Sequence, residues 1–294
     1  MEIFNKFKLG IWNIGIIEKD IHDIIGGKQE VEIRWLKHKY KDRFFADPFL
    51  YNVDKENYYV LVEEFPFYTN RGYISMLTIE KKTMVLLKRE KLIEEPFHLS
   101  YPFVYKNEII PEAYRSGKST AYKYEKNRII GKYAIADMGL IDQTFLEYEG
   151  REWIFATDKD NPLCGLKIFY REDGGEWQPH VKNPVSTDIK TARPGGHFFR
   201  IGQKLYRPAQ DSEKLYGHRI RIMEVLKLTP DDYKEKEVIV LSSQGNPPYE
   251  MGFHTFNVEN GFIVVDGYRE YNSFFVKPLC LKLPKVMKFI GEKR

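Results

Sequence analysis

The chain of 294 residues lacks the features that mark several large classes of protein. It has two cysteines, Cys164 and Cys280, and they form no Cys-x-x-Cys pair or Cys/His group with the spacing of a zinc site. We therefore expect neither a disulfide framework nor structural zinc, and the chain fits a reducing compartment. No apolar run approaches the roughly 18 residues that a membrane-spanning helix requires.

A signal peptide and a strong charge excess are also missing. The first residues, Met-Glu-Ile-Phe-Asn-Lys-Phe-Lys, lack the apolar stretch and small residues of a secretory leader, which predicts a cytoplasmic protein. Lys and Arg number 46 against 42 Asp and Glu, a formal net charge of +4, so nucleic acid is not an expected partner. The glycine pairs lack Gly-x-Gly-x-x-Gly spacing, and we expect no dinucleotide or other cofactor.

The C-terminal tail, residues 277–294, differs from the rest of the chain because it alternates basic and apolar residues from Lys277 to Arg294. One interpretation is a capping tail that packs on the domain with its lysines in water. The other is a peripheral contact with the anionic inner face of a membrane. We divide the chain accordingly into a single domain, 1–276, and this tail.

Aromatic residues are abundant, with 20 Tyr, 20 Phe and 4 Trp, and they favour pleated, half-buried surfaces. Short aromatic or β-branched segments bounded by turn residues, such as Tyr58–Val62 and Phe262–Val265, are typical of strands. Helical turns are predicted at Glu18–Ile25 and Pro230–Lys236 alone. The pattern therefore predicts an all-β protein.

A loose repeat indicates the architecture. Five short motifs open successive units at spacings of roughly 40 to 60 residues, the size of a four-stranded propeller blade. These openings are Phe45–Phe49, His98–Phe103, Leu140–Phe145, Ala192–Gly196 and Gly252–Phe256. We predict a five-bladed β-propeller in which the N-terminal strand, Gly10–Ile17, closes the last blade. The openings would then converge on one polar pocket at the central channel.

The motifs resemble known families. Ala46-Asp47-Pro48, and Ile141-Asp142 leading to Trp153, are similar to blade signatures of the five-bladed glycoside hydrolases of family 43. The whole set from about residue 44 to 257 resembles more specifically the propeller domain at the N-terminus of plant glucosamine inositolphosphorylceramide transferases and of bacterial proteins from surface-glycan loci. The further matching pieces include His98–Pro102, Ile110–Glu112, Ala192–Gly196, Arg207–Asp211 and His254-Thr255.

Two aspartates are candidates for catalysis, because making or breaking a glycosidic bond requires carboxyl groups on both sides of the sugar. Asp47 opens the first innermost strand, and the hydrolase resemblance implies that it is the general base. Asp142 matches the position that orients substrate and tunes the acid in those enzymes. The alternative for both is a turn aspartate that bonds its own backbone.

The expected acid is absent, since the fourth opening has Arg193 where the hydrolases have glutamate, and a guanidinium cannot donate a proton near neutral pH. Arg193 suits an anion instead, and Arg207 could join it, which favours a nucleotide-sugar donor whose diphosphate leaves as an anion. Alternatively, each arginine pairs with Glu63, Glu64 or Asp211 in a structural network.

Glu112 is the candidate substitute acid, if apolar neighbours raise its pKa; the alternative is an ion pair with Arg115. Glu63 and Glu64 are adjacent on a strand, so one of them can enter the channel, and the sequence does not decide which. A lone histidine is more often a hydrogen-bonded structural residue than a ligand, which is the alternative for His98 and His254. The hydrolase resemblance allows His254 to hold water or an ion near the channel centre, and we expect no resident metal. The full set of expected substrate-binding residues is Glu64, His98, Tyr101, Arg193, Arg207, Gln210, Asp211 and His254, with Tyr101 and Tyr216 as sugar-stacking positions.

Three functions are compatible with these residues. The first is a cytoplasmic glycosyltransferase-like enzyme of surface-glycan or glycolipid assembly that acts on a nucleotide sugar. The second is a glycoside hydrolase of the five-bladed type with Glu112 as a displaced acid. The third is a noncatalytic carbohydrate-binding module that serves a partner enzyme.

Overall fold

The computed structural model describes residues 8–27 and 31–272, which form five four-stranded antiparallel sheets. The predicted five-bladed, nearly all-β propeller is confirmed. Blade 1 comprises β3 (Arg43–Val53), β4 (Asn57–Pro66), β5 (Tyr73–Glu80) and β6 (Leu86–Ile93). Blade 2 comprises β7 (Ser100–Tyr105), β8 (Glu108–Glu112), β9 (Ser119–Glu125) and β10 (Arg128–Ala136). Blade 3 comprises β11 (Ile141–Tyr148), β12 (Arg151–Thr157), β13 (Lys167–Arg171) and β14 (Gln178–Pro179).

The remaining strands complete the ring. Blade 4 comprises β15 (Phe199–Ile201), β16 (Lys204–Asp211), β17 (Arg219–Leu228) and β18 (Tyr233–Leu241). Blade 5 joins the two ends of the described chain in the order β19 (Phe256–Glu259), β20 (Phe262–Asn272), β1 (Lys8–Ile17), β2 (Arg34–Trp35). Since β1 pairs with β20 over ten residues, the N-terminal strand closes the last blade as predicted. The tail 277–294 lies outside the described residues.

One β-bulge recurs at the start of the innermost strand in blades 1, 2 and 3. The register shifts between Ala46 and Phe49, between Ser100 and Phe103, and between Ile141 and Thr144. The residue inside each bulge has a positive φ: 50° at Asp47, 41° at Tyr101 and 49° at Asp142. A bulge redirects the side chain that it contains, so these three residues leave the regular alternation of their strands at equivalent places.

The second strands of three blades share a shorter pattern, an apolar run that ends in an acidic residue. Val60-Leu61-Val62-Glu63, Ile109-Ile110-Pro111-Glu112 and Ile263-Val264-Val265-Asp266 are the three runs. Glu63 pairs with Ala46 and Glu112 with Ser100, and Asp266 lies one residue beyond the Phe256–Val265 pair. The three carboxyl groups therefore stand at the same height of their blades, next to the innermost strands.

Aromatic residues join neighbouring blades. The rings of Phe49 in blade 1 and Tyr101 in blade 2 meet edge to face with centroids 4.9 Å apart, and those of Phe103 and Phe145 lie 5.9 Å apart between blades 2 and 3. All four residues are buried. These contacts explain the aromatic-rich composition, because the faces of adjacent sheets require large flat side chains to fill the wedge between them.

Helix is scarce in the described chain. The expected turn at Glu18–Ile25 forms α1 (Ile21–Ile25), capped by Asp20, whose carboxylate accepts from the His22 N–H at 2.8 Å. The helical turn expected at Pro230–Lys236 is wrong: strand β18 begins at Tyr233, where period-two alternation prevails. No helix among the described residues is both long and apolar enough to cross a membrane.

Candidate active site

A cavity of about 480 Å³ opens where the innermost strands begin. Blades 1 to 4 and the loops between them supply its walls. The side chains that line it are Asp47, Glu63, Phe65, Asn70, His98, Ser100, Glu112, Tyr114, Arg115, Ile141, Lys159, Pro162, Arg193 and Tyr216. Residues that are far apart in sequence thus converge as the repeat predicts, although the fifth opening contributes no residue to the lining. Of the three carboxyl groups expected to be catalytic, Asp47 and Glu112 line the cavity and Asp142 does not.

Asp47 is buried at the base of the cavity. Its carboxylate accepts from the Tyr101 N–H at 3.0 Å and from the Thr255 hydroxyl at 3.1 Å. Burial raises the pKa of Asp47 to about 6, with the neighbouring carboxylates adding to the rise and His254 opposing it. A carboxylate with this pKa is a suitable proton acceptor near neutral pH.

His254 and Asp266 form a buried ion pair behind Asp47. The His254 Nδ1 lies 2.6 Å from an Asp266 oxygen, and the Nε2 lies 3.4 Å from Asp47 Oδ1. Burial by itself would lower the pKa of His254, but Asp266 and Asp47 outweigh that effect and raise it. Trp12 stacks on the imidazole with centroids 3.9 Å apart. His254 therefore contacts the candidate base rather than the cavity, from whose lining it is absent.

Asp266 is a site residue that the sequence interpretation missed. Besides the histidine, it accepts from the backbone N–H groups of Asp47, His254 and Thr255, at 3.0–3.1 Å. It thereby fixes the bulge of β3 that carries the candidate base. The signal that could have found it is the run of apolar residues ending in a carboxylate, which blade 5 shares with blades 1 and 2.

Asp142 is buried and held by two donors. Arg193 Nε donates to Asp142 Oδ2 at 2.6 Å, and the Gln210 amide donates to the same oxygen at 2.7 Å. Burial would lower the pKa of Arg193, but the Asp142 carboxylate outweighs it and raises that pKa. Arg193 therefore reaches the cavity as the sequence predicts, although its charge is already compensated by Asp142. Gln210 positions Asp142 and lies behind the cavity wall.

Glu112 is the second titratable group of the cavity. It is buried and accepts from the Ser100 hydroxyl at 2.9 Å and from the Tyr114 N–H at 3.2 Å. Burial, with a contribution from Asp142, raises the pKa of Glu112 to about 7. The ion pair with Arg115 considered above does not form; Arg115 Nε donates to the Tyr114 hydroxyl instead. The glutamate is thus available as a proton donor near neutral pH.

Glu63, and not Glu64, enters the cavity. Burial and the nearby Asp47 raise the pKa of Glu63 well above its ordinary value, and His98 Nε2 lies 3.5 Å from its carboxyl group. Gly72 donates its N–H to His98 Nδ1 at 2.8 Å, which leaves the Nε2 proton to face Glu63. A Cβ at Gly72 would stand 2.6 Å from Glu63 Oε1, so this close approach requires glycine.

The expected role of Glu64 is corrected by its placement. Its side chain is fully buried on the opposite face of β4, where it forms ion pairs with Arg43 and Arg89 and accepts from Ser75 and Tyr73. Adjacent strand residues point to opposite faces, and the face with Glu63 is the one that lines the cavity.

Arg207 and Asp211 are also placed away from the cavity. Arg207 is fully buried and donates to both oxygens of Glu235, at 2.9 and 2.7 Å, and to the Thr191 carbonyl. Asp211 accepts from Arg219 and Arg221 at 2.8–3.0 Å. Both residues thus belong to structural ion pairs, as the alternative held, but with other partners than it named. Arg207 does not join Arg193 in gripping an anion.

The two tyrosines expected to stack on sugar differ in placement. The ring of Tyr101 is fully buried between blades, so it has no surface to offer a sugar, and its backbone N–H serves Asp47 instead. Tyr216 is 46% exposed at the mouth, with the Arg193 guanidinium 5.2 Å from its ring centroid. Tyr216 alone of the pair can contact a ligand.

The mouth of the cavity carries positive charge, whereas its interior is acidic. Arg115 and Lys159 come from loops of blades 2 and 3, and both are exposed. Within the described chain neither has a carboxylate partner, apart from a weak electrostatic influence of Glu112 on Arg115. The cavity is therefore polarised, with carboxyl groups inside and cations outside.

A small cation is chemically compatible with one part of the site. The ligand atoms of Asp47, His254 and Asp266 lie within 4.8 Å of one another, and all three residues are buried. Carboxylate and imidazole groups are ordinary metal ligands. In the present arrangement the imidazole already bridges the two carboxylates and compensates one of their two charges.

Comparison with known proteins connects this site to a family. The sequence profile of the family described as "Glucosamine inositolphosphorylceramide transferase 1, N-terminal" matches residues 34–250. The chain belongs to this family. The match includes blades 1 to 4 in full, strand β2 of blade 5 and, apart from His254 and Asp266, every acidic and basic residue of the site named above.

Two plant proteins illustrate the relationship. The chain is 32% identical over 212 residues to glucosamine inositolphosphorylceramide transferase 1 of Oryza sativa subsp. japonica, and 33% identical over 210 residues to the protein of the same name in Arabidopsis thaliana. These alignments cover 68% and 66% of this chain but 28% and 27% of the relatives. The chain therefore spans less than a third of the length of these relatives.

Solved structures support the propeller fold. The family 43 enzyme GH43_1 of Xanthomonas citri in complex with xylotriose superposes with a TM-score of 0.50 over 79% of this chain and 88% of that one, at 9% sequence identity. At this identity the likeness concerns architecture alone. The predicted resemblance to the transferase N-terminal domain, and more distantly to family 43 propellers, is confirmed.

Proposed function

We propose that the protein is a carbohydrate-active enzyme of glycan or glycolipid biosynthesis that transfers a glycosyl group from an anionic donor, such as a nucleotide sugar, to an acceptor hydroxyl. The observation that carries this proposal is a single cavity with three buried carboxyl groups of raised pKa, about 6 at Asp47, about 7 at Glu112 and well above its ordinary value at Glu63, under a mouth lined by cations. The names of the plant relatives, which describe transferases, agree with it.

Asp47 is the base in this proposal. At neutral pH a group with a pKa of about 6 is mostly ionised, yet it remains basic enough to take the proton of an acceptor hydroxyl as that oxygen attacks the anomeric carbon. The Tyr101 N–H and the Thr255 hydroxyl fix the carboxylate. His254 behind it stabilises the negative charge before the proton arrives, whereas the nearby Asp266 carboxylate opposes that charge and keeps Asp47 basic.

The mouth is the proposed place of the leaving group. The bond from the anomeric carbon to the donor oxygen breaks as the acceptor bond forms, and the departing phosphate keeps the electron pair. Arg115 and Lys159 are exposed cations that can neutralise this charge, and the edge of Arg193 is adjacent. Tyr216 offers a half-exposed ring on which a sugar can stack.

The test measures turnover of a panel of nucleotide sugars with mono- and disaccharide acceptors, and the release of the nucleoside diphosphate is the readout. Asp47→Asn should lower turnover by about 10²–10⁴-fold, the usual contribution of a positioned base, while calorimetry shows unchanged nucleotide-sugar binding. The double variant Arg115→Ala/Lys159→Ala should instead weaken binding. Asp137→Asn, at a carboxylate that is 81% exposed, is the matched control. Full turnover in Asp47→Asn would contradict the proposal.

Hydrolysis is the second candidate, and the pKa of Glu112 favours it. A carboxyl with a pKa of about 7 is about half protonated at neutral pH and can protonate a poor leaving group, while Asp47 activates water. Hydrolysis of aryl glycosides that is lost in both Glu112→Gln and Asp47→Asn would establish this reading. Glycan binding without turnover, retained in both variants, would indicate a noncatalytic module.

A further inference from the structure

A second concave surface, outside the cavity, lies on the circumference of the ring where blade 5 meets blade 1. Two adjoining grooves, of about 460 and 640 Å³, share Lys37, His38 and Tyr40. The segment 37–41 runs along the outermost strand β6, and Lys37 pairs with Val85 in parallel. We call the surface lined by these two grooves the basic groove.

Charge on the basic groove is of one sign. Its lining includes six cationic residues and no Asp or Glu: Lys37, Lys39, Lys41, Lys88, Arg89 and Arg269. The chain as a whole has 42 acidic against 46 basic residues, so this lining departs from the average surface. Burial, with Lys41 and Arg269 adding to it, lowers the pKa of the adjacent His38 to about 4, as expected in a positive field.

The uncompensated part of this charge comes from three lysines. Arg89 is paired with Glu64 and Lys88 with Glu90, so neither contributes a free charge. Lys37, Lys39 and Lys41 are exposed, and in the portion of the chain that the structure describes none of them has an ion-pair partner. All three line the basic groove: Lys37 contributes to both of its parts, Lys39 to the part beside β6, and Lys41 to the part beside Arg269.

Exposed apolar side chains accompany these lysines. Leu87 is 58% exposed and Val85 is 39% exposed, both on the β6 side of the groove. Cations that flank protruding aliphatic groups match the surface of an anionic bilayer, where the lysines meet phosphate groups and the apolar side chains reach the acyl boundary. A soluble polyanion would use the lysines but would gain nothing from Leu87.

We infer that the basic groove is a docking surface for an anionic lipid membrane. The chain's own tail is not a suitable occupant, because residues 277–294 carry the same sign of charge, with Lys277, Lys282, Lys285 and Lys288 among them. The sequence instead continues into this basic and apolar stretch from β20, the strand that contributes Arg269 to the groove. Docking at the circumference leaves the mouth of the cavity open to substrate.

The experiment is co-flotation of the full-length protein with vesicles of phosphatidylcholine alone or with about a third phosphatidylglycerol. Wild type should float with the anionic vesicles only, and binding should fall with salt. Lys37→Glu/Lys39→Glu/Lys41→Glu should weaken binding by at least about tenfold. Leu87→Ser, which keeps every charge, should weaken it by a smaller factor. The control is Lys55→Glu/Lys123→Glu/Lys126→Glu, at exposed lysines outside the groove, with equal folding verified by circular dichroism.

Several outcomes would overturn the inference. One is failure of the wild type to float with the anionic vesicles. Another is vesicle binding that the triple lysine variant retains in full, because that result would assign membrane binding to the tail. Binding to a soluble acidic polysaccharide that is weakened by the triple variant but unaffected by Leu87→Ser, without binding to vesicles, would identify a different occupant. Each result is independent of glycosyl transfer, because none of these residues lines the cavity.

Discussion

Asp47 and Asp142 occupy the same position in two blades, yet their surroundings differ. Both lie in the bulge of an innermost strand, with φ of 50° and 49°, and both are buried. Asp142 is held by the guanidinium of Arg193 and the amide of Gln210. Asp47 receives neutral donors and shares a histidine with Asp266.

The fold therefore determines where each aspartate lies, and the charged groups of the neighbouring blade determine how it behaves. The cation beside Asp142 comes from the opening of blade 4, whereas Asp47 is adjacent to blade 5, whose second strand brings another carboxylate. One aspartate is thereby held in a fixed ion pair that orients its neighbours. The other remains an ionisable group that can exchange a proton at neutral pH.

The most severe test of this comparison removes the charge from Asp47. Asp47→Asn should reduce turnover by about 10²–10⁴-fold, because the proton acceptor is lost while the shape is kept. Its stability should be unchanged or higher, since burial of the charged form is unfavourable in the wild type. Turnover and thermal unfolding, measured together, check both halves of the expectation.

Asp142→Asn, in contrast to Asp47→Asn, should mainly lower the stability of the protein. It leaves Arg193 buried without its carboxylate, and breaking a buried ion pair by removing one partner costs about 3–5 kcal/mol. The double variant Asp142→Asn/Arg193→Met should recover part of this loss because the orphan charge is gone. Equal free energies of unfolding for Asp142→Asn and Asp47→Asn, from urea denaturation, would remove the distinction between the two aspartates.

Much of this site is predictable from the sequence, because the openings of the blades carry its most polar residues at regular spacings. Asp47, His98 and Arg193 reach the cavity or its wall for that reason, and Glu112 joins them from the end of the second strand of blade 2. The five-bladed architecture and the closing strand β1 follow from the same repeat. The roles of these residues stay predictions, since the structure places them without showing a reaction.

The expectations for Glu64 and Arg207 fail for a common physical reason. Strand alternation shows which face of a sheet a side chain occupies only once the register with the neighbouring strand is known. Glu63 and Glu64 are adjacent, and the pairing of Glu63 with Ala46 decides which one enters the cavity. Arg207 looked like a partner of Arg193, but its side chain leaves the second strand of blade 4 toward Glu235. These facts depend on neighbouring strands and not on local composition.

The pH dependence of stability tests whether Glu112, like Asp47, is a buried carboxyl group with a raised pKa. Its donors are neutral, and its folded pKa of about 7 exceeds the unfolded value near 4.5. Its contribution to stability is therefore fully present below about pH 4.5 and is lost as the pH rises through about 7. Relative to Glu112→Gln, the free energy of unfolding of the wild type should fall by on the order of 3 kcal/mol between about pH 5 and about pH 8. Urea denaturation of both proteins across this pH range measures the difference. A pH-independent difference would place Glu112 with Asp142 as a paired carboxylate.

The smallest expected effect concerns Tyr216, which lies on the Asp142 side of the cavity. Its ring faces the Arg193 guanidinium at 5.2 Å, and its hydroxyl accepts from Arg193 Nη2 at 3.3 Å. Tyr216→Ala should cost about 0.5–1 kcal/mol of stability, the value of a half-exposed cation–π contact, and should weaken sugar binding through loss of the exposed ring. Tyr216→Phe keeps the ring and should retain most of both. If Tyr216→Ala matches the wild type in thermal unfolding and in calorimetric sugar binding, the ion pair with Asp142 alone is sufficient to position Arg193.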